Sequence, residues 1–271
     1  MPSIGRLNYL EFLPSPSAAA RPRGALVLLH AFPLNARMWE PQRVLADAGW
    51  RVIVPQFRGM DGGERVQPVT SIDDFAGDVI DLVDALHVED AVFCGLSMGG
   101  YVAFAIFRHA PRYLRALVLA DTRPQADSPE GIAGRKKMLA LVREKGAAAV
   151  AVVADEMLPK LLGATTFRQR PDVVERVRSL IVANSAEAIA GAVTAMMTRE
   201  DSTPSLATIH CPTLIVVGAE DTLTAPSASE DMQRQIPGSA LVVVPAAGHL
   251  SNLEQPDAFN AAVSRFLEHK V

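Results

Sequence analysis

The chain has 271 residues, 49% hydrophobic and 21% charged, with a formal net charge of −4 at pH 7. Those are the proportions of a globular protein, long enough for one large α/β domain. The negative balance and the lack of a basic run exclude a nucleic-acid or membrane-surface binder, and no apolar run is long enough to span a bilayer.

In chain order, residues 1–13 read as a strand. Ser17-Ala18-Ala19-Ala20 is too short for the apolar core of a signal peptide, so a cytoplasmic location is expected. Ala25 to Leu29 form an apolar strand that runs into the turn His30-Ala31-Phe32-Pro33. A helix is expected over 44–50 and a strand over 52–55. Arg58-Gly59-Met60-Asp61-Gly62-Gly63 then reads as a tight turn packed beside the serine turn described below. A helix over 71–87 leads to the strand Ala91-Val92-Phe93-Cys94, and a second helix covers 98–108. The strand Leu117-Val118-Leu119-Ala120 ends at Asp121.

Between 123 and 205 the pattern changes. Pro129, Gly146, Gly163, Pro171 and Ser185 punctuate this stretch into about four helices, and the Ala-rich 147–154 reads as helical. Strands return at 213–217 and 240–244, and a helix over 258–269 closes the chain. Strands alternating with helices predict an α/β fold with a mostly parallel sheet. The expected organisation is a core over 1–122 and 206–271, interrupted by a helical cap over 123–205. Its hinges would lie at Thr122-Arg123-Pro124 and Asp201-Ser202-Thr203-Pro204. Two cysteines, Cys94 and Cys211, make no disulfide framework and read as buried small apolar residues. No Cys/His cluster has metal spacing, and neither glycine cluster has a phosphate-binding pattern, so no metal and no cofactor is expected.

Gly95-Leu96-Ser97-Met98-Gly99 places a serine between a strand and a helix. Flanking glycines remove the side chains that so tight a turn would drive together. A serine hydroxyl is a poor nucleophile until a base takes its proton, and histidine suits that task because it titrates near neutrality. His249 follows the strand 240–244, and Asp221 follows the strand 213–217. Strand carboxyl ends share one edge of a parallel sheet, so Ser97, Asp221 and His249 can converge there. A buried carboxylate would fix the imidazole tautomer. Glu220 and Asp121 are the rival acids; Asp121 reads better as a cap or hinge residue. His87, His109 and His269 read as helix-face or terminal residues.

These segments, with Phe57-Arg58-Gly59, Pro212-Thr213-Leu214 and Glu254-Gln255-Pro256, resemble the α/β-hydrolase superfamily over nearly the whole chain. The branch they look most like comprises 3-oxoadipate enol-lactonase-like enzymes and small carboxylesterases. The resemblance implies a metal-free serine hydrolase of carboxylic esters or lactones, with Ser97, Asp221 and His249 as its triad. It also implies an oxyanion hole made by the backbone N–H groups of Phe32 and Met98, with His30 bracing the loop. Relatives that use an Asp nucleophile are disfavoured by Ser97, and ring-cleavage C–C hydrolases by Leu250 after the histidine. C–C hydrolysis and perhydrolysis could nevertheless use the same triad, and a ligand receptor on this fold could retain it. The cap should close over Ser97. Met138, Met157 and Met196 could line an apolar pocket or serve as helix core, and Met196 and its neighbour Met197 cannot face it equally. Trp39 could wall the pocket or pack in the core. Arg123 could bind an acidic substrate or form a hinge salt bridge. The expected partner is a small ester or lactone, and the expected assembly a monomer or homodimer.

Overall fold

A computed structural model describes residues 1–4, 7–19, 22–60 and 69–271. Asp61, Gly62 and Gly63, assigned from the sequence to a tight turn, lie outside the described residues. Among the described residues, eight strands form one sheet in the order β1-β2-β4-β3-β5-β6-β7-β8. In chain order these are β1 (Ser3–Ile4), β2 (Leu7–Phe12), β3 (Gly24–Leu29), β4 (Trp50–Gln56), β5 (Ala91–Leu96), β6 (Leu114–Ala120), β7 (Thr213–Gly218) and β8 (Ala240–Val244). The single expected N-terminal strand is thus a pair, β1 and β2, joined antiparallel. β2 also pairs antiparallel with β4, and every later pairing is parallel.

The helices are α1 (Pro16–Ala19), α2 (Ile72–Ala85), α3 (Met98–His109), α4 (Pro129–Lys145), α5 (Ala149–Leu161), α6 (Ala164–Gln169), α7 (Pro171–Val182), α8 (Ala186–Met197), α9 (Pro226–Gln235), α10 (Ser251–Glu254) and α11 (Pro256–Lys270). β5 and β7 are buried at every position, as strands must be when helices cover both faces of a parallel sheet. α3 lies against β3, β5 and β6, α2 packs on α3, and α9 lies against β7 and β8.

The helix expected over 44–50 is instead a 3-10 segment, Ala36–Ala48. The chain turns at Gly49, whose N–H bonds the Ala46 carbonyl, and Trp50 already opens β4. Asn35 starts the segment by accepting the Arg37 N–H at 3.1 Å.

Helices α4 to α8 are inserted between β6 and β7, and we refer to them as the cap. Each punctuation mark read from the sequence bounds a helix, but they delimit five helices rather than about four, because Gly163 and Pro171 isolate the short α6. Ser128 and Ser185 start α4 and α8 by accepting backbone N–H groups of Gly131 and Ala188. The turn at Gly59 packs against Ala188 of α8, a Cβ there lying 3.0 Å from that of Ala188. Cys94 is fully buried in β5, which pushes its thiol pKa up, and Cys211 is half-buried.

Candidate active site

The parallel strands deliver their carboxyl ends to one edge, and the chemistry-bearing residues follow those ends directly. Ser97 sits between β5 and α3 with φ 54° and ψ −112°, a conformation that L residues seldom adopt. A Cβ at Gly95 would lie 2.7 Å from the Gly100 nitrogen, and one at Gly99 would meet the backbone of Leu29. The two glycines therefore let the turn close against itself and against β3, which leaves the Ser97 side chain at the tip.

Ser97 Oγ lies 2.8 Å from His249 Nε2, and His249 Nδ1 lies 2.8 Å from Asp221 Oδ2. The hydroxyl donates to the imidazole, whose Nδ1–H donates to the carboxylate. All three residues are buried. Asp221 is itself fixed by the N–H groups of Leu223 and Thr224 at 2.8 and 3.0 Å, and by the Thr224 hydroxyl at 2.6 Å. Burial alone would raise its pKa. His249 and these donors outweigh burial and hold the carboxyl below its ordinary range. Burial would likewise lower the pKa of His249, but the facing carboxylates, Asp221 first, raise it above imidazole's ordinary 6.5.

The two rival acids are engaged elsewhere. Glu220 accepts the Thr165 N–H at 2.8 Å, which ties the cap's α6 to the loop after β7. Asp121 neither caps a following helix nor meets His249 in a hydrogen bond. It accepts the Gly218 N–H at 2.8 Å and the Ser251 hydroxyl at 2.5 Å, joining the ends of β6 and β7 to the start of α10. Burial and then the Asp221 charge raise its pKa.

His30 lies under the turn after β3. Its Nδ1–H donates to the Ala31 carbonyl at 3.1 Å, and its Nε2 accepts the Phe57 N–H at 3.1 Å. Full burial lowers its pKa to about 4, so the ring stays neutral while it spans the ends of β3 and β4. Phe32 lines the cavity above Ser97. Met98 is the first residue of α3, where the leading N–H groups have no carbonyl within the helix and point with the positive end of its dipole.

That cavity has a volume of about 580 Å³, the size of a small-molecule site, and Ser97 and His249 form its floor. Met138 of α4, Met157 of α5 and Met196 of α8 line it, with Tyr101, Leu141, Leu161 and Leu223. Met197 packs on the core instead. Trp39 does not wall the cavity: its side chain is buried in the core against Phe259, ring centroids 5.9 Å apart, because the 3-10 segment packs on α11.

Arg123 lies at the cavity and also pairs with Asp127 at 3.2 Å, four residues on, so it is both a lining residue and one half of a salt bridge. Asp127 in turn receives Arg135 and, at 2.9 Å, Arg199, whose guanidinium covers the Tyr101 ring at 4.2 Å. Three guanidinium groups thus share one buried carboxylate; Arg123 and Arg135 line the cavity with Asp127, while Arg199 is buried outside its lining. Sequence reasoning missed Asp127, Arg135, Arg199 and Tyr101. Only the four-residue spacing from Arg123 to Asp127 gave a signal.

Among the described residues, no group of three His, Cys, Asp or Glu side chains could hold a metal ion, and no single helix is long and apolar enough to cross a membrane.

A mostly parallel sheet with a serine turn between β5 and α3 and helices inserted after β6 is the α/β-hydrolase fold. The sequence model of the alpha/beta hydrolase family matches residues 26–262, and the chain belongs to that family. Among its relatives, 3-oxoadipate enol-lactonase 2 of Acinetobacter baylyi is 30% identical over 262 residues, covering 97% of this chain and 93% of that protein. A thermophilic esterase from Thermogutta terrifontis, solved with malate bound, superposes with a TM-score of 0.88 at 38% identity, covering 97% of this chain and 93% of that one. The enol-lactonase of Burkholderia xenovorans LB400 superposes at 0.86 with 27% identity, over 97% of this chain and 96% of its own.

Proposed function

We propose that the chain is a serine hydrolase of carboxylic esters or lactones that works through an acyl-enzyme on Ser97. The observation that carries this reading is the unbroken hydrogen-bond chain from Ser97 Oγ through His249 to Asp221, with Ser97 and His249 both lining the cavity. Its relatives include proteins named esterase and enol-lactonase.

In this reaction Ser97 Oγ attacks the carbonyl carbon as its proton passes to His249 Nε2. The carbonyl oxygen becomes an anion held by the N–H groups of Phe32 and Met98, each such donor being worth about 3 kcal/mol in the transition state. The carbon–oxygen bond to the alcohol breaks, and the imidazolium returns its proton to the departing alkoxide. Water then attacks the acyl-enzyme by the same route and frees Ser97. No step needs a metal or cofactor.

The test is rapid mixing with p-nitrophenyl acetate, with the intact mass read at short times. A burst of p-nitrophenol, one added acetyl group on Ser97, and sustained turnover are expected. An adduct without turnover would favour the receptor reading, and an adduct on another residue would overturn the assignment.

The base must be neutral to accept a proton, so kcat/KM should rise with pH through the pKa of free His249. That pKa is raised, so the acid limb is expected above 6.5; a midpoint below 6.5 in a pH–rate profile would contradict the electrostatics.

The guanidinium cluster favours a substrate that carries a carboxylate beside its ester or lactone group. Arg123 and Arg135 line the cavity and share the single carboxylate of Asp127 with the buried Arg199, and a carboxylate is the partner that guanidinium donors bind best. A monoaryl succinate should therefore be hydrolysed with a higher kcat/KM than the isosteric neutral aryl ester. Arg123→Gln should narrow that ratio by roughly tenfold, the value of one lost charge-assisted hydrogen bond. An unchanged ratio in this paired assay would remove the carboxylate from the reading and leave the ester chemistry intact.

A further inference from the structure

Glu254 is a fully buried carboxylate that the steps above do not use. It is the last residue of α10, five positions after His249. Its Oε1 accepts the N–H of Gly248 at 2.9 Å and that of Leu250 at 3.2 Å, the residues on either side of His249. Its Oε2 accepts the N–H of Gly163 at 2.8 Å, in the cap turn between α5 and α6. That turn is bound a second time, for the His249 N–H donates to the Leu161 carbonyl at 3.1 Å. Leu161 and Met157, one turn earlier on α5, line the substrate cavity. One side chain therefore holds the backbone around His249 and the turn at the end of the helix whose Met157 and Leu161 line the cavity.

We infer that Glu254 is a positioning residue that clamps the His249 loop to the cap turn at Gly163 and so couples substrate contact on α5 to the alignment of His249 with Ser97. The inference rests on the reading of Ser97 and His249 as nucleophile and base. Three backbone donors converge on the two carboxylate oxygens, and the Thr166 hydroxyl adds a fourth, so the site is built for an acceptor at both ends. Glutamine keeps the shape but turns one end into a donor. Either Gly163 or the pair flanking His249 then faces an N–H and loses its partner. The contact is also close: a Cβ at Gly163 would lie 2.8 Å from the Gly248 nitrogen.

Charge supplies a readout that packing alone would not move. The carboxylates that face His249 are Asp221 after β7, Asp121 at the end of β6 and Glu254 on α10, and each favours the imidazolium. Removing the Glu254 charge should lower the pKa of His249 and move the acid limb of kcat/KM to lower pH.

The experiment compares wild type with Glu254→Gln, Glu254→Asp and Gly163→Ala. It measures kcat, KM and the acid limb on one aryl ester, with the low-field Nδ1–H proton resonance of His249 as a structural marker. In Glu254→Gln, kcat should fall roughly 10- to 100-fold, the cost of a misaligned base, with a smaller change in KM and an acid limb at lower pH. Glu254→Asp keeps the charge but cannot span both partners, so its kcat should fall while the limb stays in place. Gly163→Ala wedges the turn from the loop with Glu254 intact and should act as Glu254→Asp does. A Glu254→Gln variant that loses only thermal stability, with kcat, limb and resonance unchanged, would overturn the inference. If that variant does not fold, wild-type kcat in Gly163→Ala overturns it, and a fall with an unmoved limb supports it. Absence of turnover in the wild type would instead defeat the hydrolase reading on which it rests.

Discussion

Ser97→Ala is expected to lower ester turnover by about 10⁴- to 10⁶-fold and to abolish the covalent adduct, while the fold survives. The substitution removes only Oγ, which lies 2.8 Å from His249 Nε2 and stands at the cavity floor. The remaining rate would come from the oxyanion donors and from substrate binding, which outlast the nucleophile. A separate consequence follows from the backbone. Ser97 holds φ 54° and ψ −112°, and a non-glycine residue in such a region stores about 1–3 kcal/mol. Alanine keeps that strain and glycine relieves it, at a cost of about 1 kcal/mol in unfolded-chain entropy. Ser97→Gly should thus be equally inactive yet at least as stable as Ser97→Ala. Parallel thermal melts and single-turnover assays check both points. Activity retained by either variant would move the nucleophile elsewhere, and a lower melting temperature for glycine would mean that the turn is not strained.

The alternation of apolar runs with glycine and proline made the core strands readable, because strands buried on both faces are continuously hydrophobic. Ser97, Asp221 and His249 were legible for a related reason: each follows such a run, and a parallel sheet brings those ends together. The failures share another cause. Residues 44–50 looked helical, but the helix lies earlier, over Ala36–Ala48, where Pro41 and a 3-10 geometry hide a 3.6-residue period. Trp39 could not be assigned to pocket or core, since only the packing of α11 against the 3-10 segment decides it. Arg123 and Asp127 precede α4, Arg135 lies on it and Arg199 follows α8, so the four-residue spacing shows one ion pair but not that three cations meet one carboxylate. Glu254 stood in a recognisable Glu-Gln-Pro sequence, yet its partner Gly163 is 91 residues away.

Asp221→Asn is expected to lower kcat by about 10⁴-fold with little change in KM. The carboxylate accepts Nδ1–H and so holds Nε2 free to take the Ser97 proton. An asparagine can present its NH₂ to Nδ1, which favours the opposite tautomer and turns Nε2 into a donor facing the hydroxyl. The imidazolium formed during attack would also lose its nearest negative charge. The His249 pKa, raised chiefly by Asp221, should fall, so the acid limb should move to lower pH even as the rate collapses. Asp121→Asn separates this role from simple proximity of charge. Asp121 also raises the His249 pKa, but its oxygens are occupied by Gly218 and Ser251. Its replacement should cost stability, about 1–3 kcal/mol for a disrupted buried network, and move the limb slightly, while kcat falls far less than in Asp221→Asn. Chemical denaturation and pH–rate profiles on the two variants distinguish the positions. The reverse order, a small loss at Asp221 and a large one at Asp121, would transfer the acid to the end of β6, whose carboxylate also acts on the pKa of the same histidine.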